Sequence, residues 1–262
     1  MFWFSGTGNS EYVAERVHNA LAAEGKSESV SIAEAMKNKA YSYHVDGNTL
    51  LGFVFPTYFW GVPSIVRDFI SRLETDGKPA SVYVVLTCGG SAGMSDVMTA
   101  SLLEKRGLYL DAAFSVSMPD NYCILLDLMT PKEKIAPILN EAGRKIETVL
   151  SVLKNGCSGY DGRSLVDRGA APRLKTALLY PLYDWSRTCA PFHADDTCIG
   201  CGECARVCPS GVIKMEGRRP VWTAGKCVHC LSCLHHCPVH ALQYGKRTRR
   251  SLRYVFPREM MP

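Results

Sequence analysis

Two copies of one cysteine pattern, 29 residues apart, limit what the last third of this 262-residue chain can fold around. The first runs Cys198-x2-Cys201-x2-Cys204-x3-Cys208-Pro209, and the second Cys227-x2-Cys230-x2-Cys233-x3-Cys237-Pro238. Three closely spaced thiolates wrap one corner of a 4Fe–4S cubane, and a fourth arrives from elsewhere. A zinc ribbon closes with four ligands from two C-x2-C pairs. It leaves the third cysteine of each triplet and the x3-Cys-Pro unexplained. A disulfide framework belongs to a secreted chain. The start, Met1-Phe-Trp-Phe, lacks the basic residues and long apolar stretch of a signal peptide.

From His193 to Arg253 these residues resemble a bacterial two-cluster ferredoxin. In that family the fourth cysteine of each run serves the other cluster. The resemblance therefore implies one cluster on Cys198, Cys201, Cys204 and Cys237, and a second on Cys227, Cys230, Cys233 and Cys208. Lys214–Trp222 reads as a β-hairpin between the repeats, and Asp195–Thr197 and Leu242–Tyr244 as short outer strands. His229, His235, His236 and His240 decorate the second repeat and read as solvated surface side chains, with cluster tuning as the alternative.

The N-terminal half carries a different signal. Phe2-Trp-Phe leads into Ser5, Gly6, Thr7, Gly8, Asn9 and Ser10, and a helical pattern follows with Val13, Val17, Ala20 and Leu21 on one face. A strand that breaks into a glycine and hydroxyl loop at a helix start is a phosphate cradle. It lacks the Gly-Lys-Ser/Thr of an ATP-binding loop and the third glycine of a dinucleotide fingerprint. The loop resembles the FMN phosphate loop of flavodoxins.

Thr49–Phe55 and Ser81–Thr87 are uncharged, β-rich runs suited to strands buried on both faces. Leu108–Met118 contains a further strand, and Val30–Ile32 is a shorter one. Helices read at Pro63–Leu73, Ser95–Arg106 and Pro131–Leu153. The alternation predicts an α/β fold, a doubly wound parallel sheet. The flavodoxin-like resemblance implies that Thr57, Tyr58, Trp60 and Gly61, and Thr87, Cys88, Gly89 and Gly90, flank a flavin ring. Tyr58 and Trp60 are the expected stacking residues, with core packing as their alternative, and Asn121 and Tyr122 are within reach of it. The first strand, Met1–Phe4, is short for this fold.

The expected domains are a flavodoxin-like FMN-binding domain over 1–153, a linker and docking segment over 154–192, and a small α+β two-cluster ferredoxin-like domain over 193–262. Asn155–Pro172 reads as a glycine-rich linker. Arg173–Arg187 reads as a docking helix or pair of turns, broken at Pro181. Cys88, Cys123, Cys157 and Cys189 lie outside the repeats and read as small buried residues.

Charge divides unevenly: residues 1–153 hold 13 Lys and Arg against 17 Asp and Glu, and residues 154–262 hold 17 against 8. The basic run Lys246, Arg247, Arg249, Arg250, Arg253 and Arg258 has no nucleic-acid-binding motif beside it. It reads as a solvated tail or as packing against the acidic first domain, and nucleic acid is not an expected partner. The longest uncharged segment, Gly47–Val66, is interrupted by Gly52, Pro56, Gly61 and Pro63, so no membrane span is expected. A cytoplasmic, low-oxygen setting suits exposed thiolates.

Together the two halves resemble the flavodoxin–ferredoxin fusion proteins of anaerobes. That resemblance implies electron transfer coupling one-electron 4Fe–4S clusters to FMN. The redox partners would be a ferredoxin, a reductase or another oxidoreductase. The alternative is an FMN-dependent reductase of a small organic acceptor, fed with electrons by the clusters.

Overall fold

The uncharged runs become the centre of a sheet. In the computed structural model, which describes residues 1–157 and 165–260, the first domain runs β1 (Phe2–Trp3), α1 (Asn9–Ala22), β2 (Val30–Ser31), α2 (Ile32–Asn38) and β3 (Ser42–Tyr43). It continues through β4 (Leu50–Pro56), α3 (Ser64–Ile70), β5 (Glu74–Thr75), β6 (Ser81–Cys88), α4 (Ser95–Glu104), β7 (Ala112–Ser117) and α5 (Lys132–Lys154). Five strands pair in the order β2-β1-β4-β6-β7, every pair parallel. Counted along the chain this is the flavodoxin-like order 2-1-3-4-5, whose ligand site lies beyond the strand C-termini. All eight residues of β6 are buried, as a strand covered on both faces requires.

One apolar layer, with Phe53, Phe55, Phe69 and Leu86, packs under α2, α3 and α4. The opposite layer, with Val13, Val17, Phe114 and Ile146, packs under α1 and α5. Helix α2 was not anticipated. It starts at Ser31, whose hydroxyl accepts the Glu34 N–H at 3.4 Å, so Ser31-Ile-Ala-Glu34 was a readable capping signal.

The expected linker over 155–172 falls partly on residues 158–164, outside the described residues. Beyond it, the Ser115 N–H donates to the Leu165 carbonyl at 3.1 Å, so the chain returns along β7. Helix α6 (Pro172–Ser186) then crosses the first domain unbroken, with Pro181 inside it. A break there was expected because proline supplies no N–H. Side-chain anchors on both sides of Pro181 hold the helix instead: the Tyr180 hydroxyl donates to the Val62 carbonyl at 2.6 Å, and Asp184 takes both Arg67 nitrogens at 2.9 Å.

The cysteine-rich module contains β8 (Phe192–Ala194), α7 (Glu203–Arg206), β9 (Ile213–Glu216), β10 (Arg219–Trp222), α8 (Ser232–His235) and β11 (Leu242–Tyr244). β8 and β11 form one antiparallel ladder, and β9 and β10 form the hairpin. The first outer strand lies three residues earlier than expected. Asp195 ends it by accepting the Thr197 N–H at 3.0 Å, a turn that Asp favours over a strand. Among the described residues no helix is long and apolar enough to cross a membrane.

Candidate functional site

The two cysteine repeats fold alike. Each turns through left-handed backbone at equivalent positions: Gly200 and His229, Gly202 and Leu231, and Gly211 and His240 all have positive φ. These turns aim successive thiols inward. Cys198, Cys201 and Cys204 line one cavity together with Cys237 from the other repeat. Burial pushes the Cys204 thiol up to about 11, and the thiols of Cys198, Cys201 and Cys237 add to the rise. Burial also raises Cys233 well above the ordinary thiol range, aided by Cys230, Cys227 and Cys208.

Each triplet is thus brought beside a fourth thiol from the other repeat. Among the described residues no three His, Cys, Asp or Glu converge as they would on a single metal ion. Cysteines spread around a cavity suit a multi-iron cluster, whose positive charge reverses the thiol pKa shifts and holds thiolates.

His229 and His235 are buried, each 4% exposed, and not solvated as the sequence suggested. The His235 Nδ1 accepts the Tyr254 N–H at 3.2 Å, which leaves Nε2–H to donate to the Asn121 carbonyl at 2.8 Å. Burial depresses its pKa to about 4, so the ring is neutral in this role. His229 donates through Nε2 to the Thr188 carbonyl at 3.2 Å. His236 is half-buried and His240 exposed.

A cavity of about 690 Å³ opens at the C-terminal ends of β1, β4 and β6. Ser5, Gly6, Thr7, Asn9 and Ser10 line it, as do Thr57, Tyr58 and Trp60, Thr87 through Gly90, and Asn121. Gly8 and Gly61 do not. Gly8 faces Phe256, and Gly61 pairs with the Tyr58 backbone beneath the Tyr180 ring.

The lining is tied together across loops. Asn121 Nδ2 donates to the Thr7 hydroxyl, and the Ser10 and Thr87 hydroxyls lie 2.7 Å apart. Trp60 Nε1 donates to the Ser91 hydroxyl at 3.1 Å. Tyr58 meets Tyr183 edge-on at 5.9 Å, and Phe59 meets Tyr122 at 5.5 Å. Asp120 is the carboxylic acid of the lining, and burial raises its pKa.

Phe59, Asp120, Tyr183, the leucines of the 125–128 loop, and His229, Cys230 and Leu231 were not foreseen in this lining. Tyr183 and the cysteine loop come from more than 100 residues away, and no local pattern could have announced them. Cys88, Cys123, Cys157 and Cys189 are all buried. Cys88 lines the cavity nonetheless, its thiol pushed up to about 12 by burial.

The lining suits a flavin mononucleotide. The volume falls in the range of small-molecule sites, about 300–1,000 Å³. Helix α1 begins at Gly8 with no side-chain cap, so its first N–H groups face the loop free for an anion. The Tyr122 hydroxyl and His229 Nδ1 are buried and have no hydrogen-bond partner among the described residues.

Residues 190–238 match the family model of the 4Fe-4S dicluster domain. No curated protein matches the chain. Among solved structures, one similar to it is the Trp repressor binding protein from Bacillus subtilis, at 13% identity over 55% of this chain and 96% of that one, TM-score 0.31. Another is the two-electron reduced flavodoxin of Megasphaera elsdenii, at 18% identity over 56% and 99%, TM-score 0.31. The strand order and the dicluster module together support a role in electron transfer. A domain with the flavodoxin-like strand order is followed by a 4Fe-4S dicluster module.

Proposed function

We propose that this chain passes electrons between two 4Fe–4S clusters and a bound FMN, converting between one-electron carriers and two-electron chemistry. The observation that carries this reading is that Cys230, with His229 and Leu231, lines the same cavity as Ser5, Gly6, Thr7, Asn9, Ser10 and Tyr58. A Cβ on Gly6 would lie 2.5 Å from the Cys230 carbonyl oxygen. The second cluster's loop therefore forms a wall of the flavin site.

When bound, FMN supplies a centre that accepts one or two electrons and exchanges protons or hydride. The Ser5–Ser10 loop would hold its phosphate, and the loops at Thr57–Trp60 and Thr87–Gly90, with Asn121, would flank its ring. The first cluster faces outward, since Cys201 and its neighbour Ile199 are exposed. That rim is the docking point for a redox protein partner in the reduced interior of an anaerobic cell.

One feature favours a second reading, a reductase of a small organic acceptor. The cavity's open side is apolar, with Leu126, Leu128 and Leu182 65%, 46% and 44% exposed. Asp120, its pKa raised by burial, is the carboxyl group that lines it.

The test is stepwise anaerobic reduction followed by visible and EPR spectra. About eight irons and one FMN per chain are expected from two 4Fe–4S clusters, with the clusters reducing the flavin. Reoxidation only by carrier proteins supports the electron-transfer role, and catalytic turnover of a small acceptor supports the reductase. Full native chain without flavin overturns both.

A further inference from the structure

We infer that the phosphate end of the flavin site is composite: Tyr254 and Phe256, beyond the second cysteine repeat, are positioning residues for the monophosphate loop. This rests on the FMN reading above. Both residues are buried, 5% exposed each, although they lie within the basic run, between Arg253 and Arg258.

The Phe256 N–H donates to the Thr7 carbonyl at 2.7 Å. In a planar trans peptide the Thr7 carbonyl and the Gly8 N–H point in opposite directions. Tying the carbonyl to the tail turns the Gly8 N–H the other way, to within 3.0 Å of the Ser5 hydroxyl. Untied, that carbonyl is free to turn its negative end towards a bound phosphate.

The Tyr254 hydroxyl donates to Asn9 Oδ1 at 2.7 Å, while Asn9 Nδ2 donates to the Pro119 carbonyl at 3.0 Å. The Phe256 ring stacks on Tyr12 with centroids 4.5 Å apart. Arg258 pairs with Glu11 at 3.3 Å and Glu15 at 2.9 Å, offsetting two carboxylates in the opening turns of α1. Gly8 has φ 102°, and a Cβ there would lie 2.6 Å from the Phe256 Cβ.

The other end of this strap is fixed to the cluster module. The Tyr254 N–H binds His235 on α8, His235 binds the Asn121 carbonyl, and the Asn121 amide returns to the Thr7 hydroxyl. One hydrogen-bonded circuit thus runs from the second cluster's helix through the tail to the phosphate loop and back.

The test compares FMN with riboflavin, which lacks the phosphate. Cluster-loaded, flavin-stripped full-length protein is titrated anaerobically by calorimetry beside Tyr254→Phe, Phe256→Ala and a chain ending at Arg253. Iron content is measured for each. Loss of one hydrogen bond predicts about fivefold weaker FMN binding for Tyr254→Phe. The shortened chain is expected to lose about tenfold or more, with riboflavin affinity and iron content unchanged.

Equal losses for the two flavins would reduce the strap to general support and overturn the inference. So would FMN binding as tight in the variants as in the parent. A parent that binds neither flavin overturns the FMN reading itself, and the strap's role with it.

Discussion

At three equivalent positions the first repeat has glycine and the second has His229, Leu231 and His240, all with positive φ. Left-handed backbone costs a side chain roughly 1–2 kcal/mol. His229 and Leu231 line the cavity beside the phosphate loop and are buried, their side chains packed with Phe192 and Tyr244, whereas His240 is exposed. Gly6 shows the converse, a position where only a missing side chain fits. Gly6→Ala places a methyl against the Cys230 backbone, which cannot swing aside as a side chain would. We expect about 1–3 kcal/mol of destabilisation and slower cluster-to-flavin electron transfer, with iron content retained, read by urea unfolding and stopped-flow spectra. The two cysteine repeats, which match a dicluster family model, were readable because their pattern is set by spacing along the chain. The burial of His229 and His235 was not, because their partners Thr188 and Asn121 lie 41 and 114 residues away.

Among the elements, α6 decides how the two halves meet. Its Tyr183, fully buried, donates to the Val228 carbonyl at 2.8 Å in the cluster loop and accepts the Ser64 N–H at 3.1 Å at the start of α3. Arg187, just past the helix, donates to the Ser64 hydroxyl and the Cys227 carbonyl. Tyr183→Phe keeps the ring and leaves a buried N–H and a buried carbonyl short of a partner. A loss of about 1–3 kcal/mol is expected in chemical denaturation. Exchange protection should fall first over 225–231, and protection lost uniformly would contradict this role for α6. The parallel sheet was legible from its uncharged runs, to within a few residues at each strand. Helix α6 was legible as a docking element but not as an unbroken helix, because proline's local cost was weighed without Tyr180 and Asp184, whose partners are remote in sequence. The β8 boundary was missed through Asp195, whose side chain competes with the ladder for the backbone.

Over the whole molecule, the small module owes much of its interior to cysteines. Cys189, Cys204, Cys208 and Cys237 share its main buried cluster with Val212, Ile213, Ala241 and Leu242. With so few large apolar side chains in that cluster, the module is expected to depend on bound iron–sulfur clusters for its stability. Removing iron with a chelator is expected to expose amides across 190–257 in hydrogen exchange while β4, β6 and β7 stay protected. Flavin affinity should fall in parallel. Protection unchanged in 190–257 would show that the module folds without iron. The basic run is only partly a free tail: Arg247 reaches the Leu125 carbonyl at 2.7 Å and Arg258 reaches α1, while Lys246, Arg249 and Arg250 face solvent. The hydrogen bond from Tyr254 to Asn9 spans 245 positions of the chain. At about 5–20 residues per second of synthesis, Asn9 is added roughly 12–50 seconds before Tyr254. During that interval the first domain lacks its strap, so on the FMN reading newly made protein is expected to take up flavin late, after the iron-binding repeats have been translated.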